Sequence, residues 1–143
     1  MENFMCLEFP SKSCNESFAR AAVGAFATQL DLNIDELADI KTAVSEAVTN
    51  SIVHGYQDSR GIITIKSRIF GNEIEVEIID KGCGIDNVDK AMQPMFSTVD
   101  DDDRSGMGFT VMQSFMDNLS VISRLGEGTH VTMTKIIGAD RDE

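Results

Sequence analysis

The chain has 143 residues and a mass of 15.7 kDa, the size of one compact domain and too short for two full ones. Its 42% hydrophobic and 25% charged residues exclude disorder, a collagen-like repeat and a disulfide scaffold. Twelve Lys and Arg against 24 Asp and Glu leave a net charge of -12, a field that repels nucleic-acid phosphates and anionic lipid and favours a basic protein partner.

Residues 4–9 form a short apolar strand, ended by Pro10, with Ser11 and Ser13 available to cap a following helix. From Glu16 to Leu30, Phe18, Ala22, Ala25 and Phe26 recur at helical spacing. Asn33 or Asp35 caps a second helix running to about His54, with Leu37, Ile40, Val44, Ala47, Val48 and Ser51 as its core stripe and Gly55 as its stop. The period then changes to two: 62–69 and 73–80 read as strands joined by the turn signal Gly71-Asn72. Residues 86–94 hold a short helix, and 95–106, with Pro94 at the border and an acidic run, read as a mobile loop. Phe109, Met112 and Met116 mark a third helix from about Met107, and two strands near 118–125 and 129–137 are turned by Gly126 and Gly128. The order predicts a single α+β domain over 1–143, a two-layer sandwich with helices on one face of a mixed, mostly antiparallel sheet.

The three cysteines, Cys6, Cys14 and Cys83, lack metal-ligand spacing and read as reduced thiols. With no cationic, apolar leader and no apolar run near the roughly 20 residues that span a bilayer, the expectation is a cytoplasmic protein without membrane contact.

Four positions carry chemistry. Glu46, Asn50 and His54 step along the second helix in a row that borders the apolar stripe, because four residues turn about 40° past a full circle. A pocket wall lies there; a solvated acid with a polar flank is the plainer alternative, and His54 reads as structural. Asp80-Lys81-Gly82-Cys83-Gly84 closes the second strand of the hairpin. Asp80 shares the parity of Ile74, Val76 and Ile78, so a carboxylate points inward and needs hydrogen-bond donors, which a ligand amino group could supply. Gly82 and Gly84 let backbone approach a flat ligand, although Asp80 could instead cap its own turn. Arg104-Ser105-Gly106-Met107-Gly108-Phe109 opens the third helix, where free N–H groups, glycines and a planar cation suit a terminal phosphate, or cap the helix and nothing more. Gly128-Thr129 starts the last strand with Thr129 on the inward parity of Val131 and Met133. The run Asp100–Asp103 reads as a solvated loop and not as a metal site.

In this order the four elements resemble the ATP-binding domain shared by gyrase, heat-shock chaperones, histidine kinases and mismatch-repair ATPases, the Bergerat or GHKL fold. The run Glu46-Ala47-Val48-Thr49-Asn50-Ser51-Ile52-Val53-His54-Gly55-Tyr56 resembles the small bacterial anti-sigma serine kinases of sporulation. That resemblance implies that Asn50 holds Mg²⁺, that Glu46 is the general base, and that Asp80 accepts the adenine amino group with support from Thr129. It also implies that Gly82 and Gly84 shape the base pocket, that Arg104, Gly106 and Gly108 hold the phosphates of ATP or ADP, that 95–106 is the ATP lid, and that Arg20 contacts protein partners. The implied activity is twofold in a homodimer: ATP-dependent sequestration of a sporulation sigma factor, and phosphorylation of a serine on an anti-anti-sigma antagonist. The alternatives are an ATP-binding anti-sigma module without kinase activity and a histidine-kinase-type catalytic domain.

Overall fold

The protein is described here in a computed structural model covering residues 2–57, 59–85, 88 and 108–138. In chain order these form β1 (Glu2–Pro10), α1 (Asn15–Ala27), α2 (Ile34–Asn50), a π-helical turn (Ser51–Gly55), β2 (Ile62–Phe70), β3 (Glu73–Asp80), α3 (Gly108–Phe115), β4 (Asn118–Arg124) and β5 (Gly128–Ile136). Of the expected short helix over 86–94 only residue 88, which is helical, is described; the loop over 95–106 and the acidic run Asp100–Asp103 lie outside the described residues.

The five strands make one sheet in the order β1-β2-β3-β5-β4. Every pairing among the described residues is antiparallel, so the sheet expected to be mixed has no parallel pair there. Two of the four pairings are hairpins. Gly71 takes φ +61° between β2 and β3, and Gly126 takes +84° between β4 and β5, conformations that glycine adopts without strain. The second hairpin lays β5 beside β3, which puts the start of β5 next to the end of β3: Asp80 is the register partner of Thr129.

Alternation decides which face is covered. Ile63, Ile65, Ser67 and Ile69 of β2 and Ile74, Val76, Ile78 and Asp80 of β3 are buried under the helices, while Lys66 and Arg68 point to the open face. The expected stripe is buried at Ile40, Val44, Ala47, Val48 and Ser51, with Ala43 added, whereas Leu37 is only partly buried. The face of α1 is corrected. Its buried residues are Ala19, Val23, Gly24, Phe26 and Ala27, whereas Phe18 is 50% exposed and rests edge-on against Phe9. The small residues win the interior because α1 lies close on α2: a Cβ on Gly24 would sit 3.1 Å from the Lys41 stem, a gap that leaves no room for a phenyl ring.

The serines after Pro10 do not cap α1, whose N-cap is Cys14 with no side-chain bond. Ser11 is instead buried, and its Oγ accepts from Gly61 N at 3.0 Å, tying β1 to the start of β2. Helix α2 is capped as expected by Asn33, whose Oδ1 accepts from Glu36 N at 2.7 Å while Glu36 Oε1 accepts from Asn33 N at 2.9 Å. Glu36 Oε2 also accepts from Gly138 N at 2.7 Å, so this carboxylate joins the helix start to the chain leaving β5. No helix among the described residues is long and apolar enough to cross a membrane.

Replacing Asn33 by Ala is expected to lower stability by about 1 kcal/mol, read from the midpoint of urea unfolding. Glu36→Ala should cost more than Asn33→Ala, because it removes the bond to Gly138 as well as half of the capping box; equal midpoints would refute that second role.

Candidate functional site

The site forms where the end of α2, the end of β3 and the starts of α3 and β5 converge. Its centre is Asp80, 4% exposed on the core side of β3. The Ser51 hydroxyl donates to Oδ2 at 2.6 Å, and Gly82 N donates to Oδ1 at 2.9 Å. Asp80 therefore does cap its own turn, the plainer of the two sequence readings, but the bond from Ser51 reaches it from another element. An ionised carboxylate has about four acceptor positions, so two chain donors leave capacity for a ligand donor or for water.

The sequence marks Ser51 only as part of the core stripe, because its period matches an apolar position and its hydroxyl gives no separate signal. It is presented to Asp80 by a change in the helix. The expected α-helix to His54 ends at Asn50 and widens into the π-helical turn Ser51–Gly55, closed by Tyr56 N donating to Ser51 O at 2.9 Å. This widening interrupts the row expected through Glu46, Asn50 and His54, leaving Glu46 and Asn50 on α2 and His54 on the turn. Gly55 does not stop the helix in a left-handed conformation; Gln57 takes the positive φ, 53°. What a side chain at 55 would press on is Asp80, since a Cβ there would lie 3.1 Å from both carboxylate oxygens, tight enough that one of the two would have to give way by a few tenths of an ångström.

The loop after Asp80 is packed backbone on backbone. Cys83 N donates to Gly55 O at 2.7 Å, and a Cβ on Gly82 would come within 2.2 Å of that same oxygen. Gly84 has φ +76° and lies so close to β4 that a Cβ would be 1.9 Å from Arg124 O. Gly128, at φ +91°, would place one 2.2 Å from Asp80 O. Tyr56, which sequence reasoning missed, closes the floor: its hydroxyl donates to Ile62 O at 2.6 Å and accepts from Lys81 N at 2.8 Å. Cys83 Sγ donates to the His54 carbonyl at 3.0 Å, giving His54 a main-chain part in holding the loop.

Thr129 lies across from Asp80 on β5, partly buried, with its Oγ1 2.8 Å from Ser123 Oγ. Ser123 accepts from Ile85 N at 2.8 Å, so the threonine belongs to a hydroxyl pair that also anchors the loop after Gly84. Glu46 and Asn50 are both partly buried. A Cβ on Gly108 would be 2.7 Å from Asn50 Nδ2, which sets the first residue of α3 directly on the Asn50 amide. Arg104 and Gly106 lie outside the described residues. Arg20 stands apart from the pocket. It pairs with Glu16 at 3.3 Å and donates to Ser45 Oγ at 3.3 Å, and Ser45 in turn donates to Glu16. It is thus tied to the residue before Glu46, and is not the lone solvated charge that an exposed helical arginine commonly is.

A family model described as the histidine kinase-like ATPase domain matches residues 9–135. Among solved structures, the blue-light activated histidine kinase of Erythrobacter litoralis EL346 superposes with a TM-score of 0.62 over 87% of this chain and 43% of that one, at 20% identity, a likeness of fold. Anti-sigma F factors of Thermoanaerobacter sp. (strain X514) and Clostridium kluyveri are 63% and 53% identical, covering 97% and 96% of this chain and 97% of each relative. That of Caldanaerobacter subterraneus subsp. tengcongensis is 61% identical over 139 residues. The chain belongs to the histidine kinase-like ATPase family and, within it, to the anti-sigma F factor family.

Ser51→Ala leaves Asp80 with one chain donor in a buried setting and is expected to destabilise the fold by about 2 kcal/mol. Urea unfolding checks this, and an unchanged midpoint would show that water replaces the hydroxyl at no cost.

Proposed function

We propose that this chain is an ATP-dependent anti-sigma factor and protein serine kinase. One observation carries the nucleotide part. Asp80 is a buried carboxylate with spare acceptor capacity, where glycine contacts bring the turn after α2, the loop after β3 and the start of β5 together. An exocyclic adenine amino group is a neutral, planar donor of the kind that such an acid selects, and backbone packed without side chains suits the flat face of a purine. Thr129, beside Asp80, joins the same polar cluster directly or through water, with Gly82 and Gly84 shaping the base pocket.

The triphosphate then runs toward the start of α3, where unpaired N–H groups favour anions. Gly108 and, beyond the described residues, Gly106 and Arg104 are the phosphate-holding residues of this reading. The donor set suits magnesium: Asn50 offers one hard amide oxygen, and Mg²⁺ in phosphoryl-transfer sites takes few protein ligands besides phosphates and water. Asn50 would hold it through its amide oxygen, and the ion would neutralise charge developing on the phosphoryl oxygens. Glu46, one turn before Asn50, takes the proton of the attacking serine hydroxyl. The serine oxygen bonds to the γ-phosphorus as the bond to the bridging oxygen breaks, and ADP leaves.

The substrate serine belongs to an anti-anti-sigma antagonist, and the sequestered partner is a sporulation sigma factor. Arg20, oriented by Glu16 and Ser45, is the contact offered to both, with two copies of the chain acting as a dimer. Support comes from the anti-sigma F factor relatives and from the net charge of -12, which suits a basic partner surface. Phosphorylation adds roughly two negative charges to the antagonist, which an acidic protein repels.

Two variants test the reading. Asp80→Asn should weaken ATP binding by about tenfold or more, because the amide presents a donor where the adenine amino group needs an acceptor; calorimetry showing unaltered affinity would remove adenine from Asp80. Glu46→Gln should lower transfer from γ-labelled ATP to the antagonist by about 10²-fold or more while leaving ATP affinity nearly unchanged. Acid-stable phosphoserine is the expected product. Acid-labile phosphohistidine favours the histidine-kinase alternative, and no transfer by the unmodified chain favours a binding module.

A further inference from the structure

Lys135 is the one core-directed lysine of β5, on the same side of the strand as Val131 and Met133, and its side chain is only 13% exposed. A cation at that depth needs partners, and it has two on different helices. Its Nζ donates to the Phe115 carbonyl, the last residue of α3, at 2.7 Å and lies 3.5 Å from Asp39 Oδ2 of α2. The carbonyl end of a helix carries partial negative charge, so a lysine there is favoured electrostatically as well as by the hydrogen bond. The chain leaving α3 is fixed on both sides of Lys135: Asp117 N donates to Thr134 O at 2.9 Å, and Asp117 Oδ2 accepts from Ile136 N at 2.6 Å.

Helix α3 has eight residues, about 12 Å of rise. Its far end is Gly108, set against the Asn50 amide. A tilt at the Phe115 end would move Gly108 off Asn50, because so short a helix moves as a rigid body. We infer that Lys135 is a positioning residue that holds α3 by its C-terminal end, through Phe115 and Asp39, so that the opposite end is aimed at the phosphates of bound nucleotide. The inference rests on the nucleotide reading above and adds a residue remote from the pocket to it. Asp80, the base-recognising acid of that reading, does not touch the clamp, so phosphate affinity and base affinity should separate.

The test is calorimetric binding of Mg-ATP and of adenosine to the full chain, with thermal melting of every variant. Lys135→Met should weaken ATP by about tenfold while adenosine changes by less than about twofold, and Lys135→Arg should restore most of the ATP affinity. Asp39→Asn keeps the bond to Phe115 and should give a smaller ATP-selective loss, which preserves the test if Lys135→Met does not fold. Unchanged ATP affinity in Lys135→Met, or equal loss of ATP and adenosine in the folded variants, overturns the clamp. A wild-type chain that binds neither ligand overturns the nucleotide reading and the clamp with it.

Discussion

A single buried carboxylate organises the end of this sheet. Asp80 lies on the isoleucine face of β3, and burying a carboxylate there without partners would cost several kcal/mol. The chain answers with one donor per oxygen, Ser51 from the end of α2 and Gly82 from the following turn. Those two bonds impose much of the surrounding architecture. The Ser51 hydroxyl has to come off the helix at the height of the strand end, and the turn has to fold back immediately, so α2 and the β3 end are held at one separation. The glycines follow from that separation: at 82 and 128 a methyl group would occupy space taken by neighbouring backbone, and at 55 it would press on Asp80.

The same constraint gives meaning to the π-helical turn. One extra residue in the helical circuit shifts Ser51–Gly55 relative to the stripe of α2, and local widening of this type costs hydrogen-bond quality that must be recovered elsewhere. Here the recovery is visible. The turn contributes a hydroxyl to Asp80, a carbonyl from Gly55 to Cys83 N, and a carbonyl from His54 to Cys83 Sγ. Tyr56 then bridges Ile62 and Lys81, so the segment between helix and strand is stitched on both sides.

Most of the layer order was legible because it rests on periodicity. The alternation in β2 and β3 assigned Ile74, Val76, Ile78 and Asp80 to one face, and both hairpins announced themselves through glycine. Periodicity was blind where two faces competed. In α1, Phe18 and Phe26 suggested the apolar stripe by size, but only Phe26 is buried, beside Ala19, Val23, Gly24 and Ala27, since closeness of α1 to α2 favours small side chains over Phe18. It was blind also to the role of Ser51 and Gly55, because a hydroxyl at a core position and a glycine at a helix end each have a common structural explanation. Only the pairing of distant segments reveals that both serve Asp80. Asp80 itself was found by an inconsistency, an acid on an isoleucine face, and such conflicts between pattern and chemistry mark functional positions.

Helix α2 relates the two activities proposed for the molecule. Ser45 receives Arg20, Glu46 follows at once, Asn50 meets the start of α3, and Ser51 meets Asp80. Seven consecutive positions, Ser45 to Ser51, thus run from the proposed partner contact to the residue that holds Asp80, roughly 9 Å of rise along α2 and into the π-helical turn that follows it. A nucleotide can alter partner affinity only if it contacts the two partner-binding states differently. Movement of α2 as a whole would disturb its buried stripe of Ile40, Val44, Ala47 and Val48, which close packing resists. The element less constrained by the core is the Arg20 side chain, 41% exposed and held by Glu16 and Ser45 among the described residues. In the proposed reading, a partner that reorients Arg20 would change the hydrogen bonding of Ser45, the residue next to the proposed base, without displacing the helix, and any resulting coupling would be reciprocal.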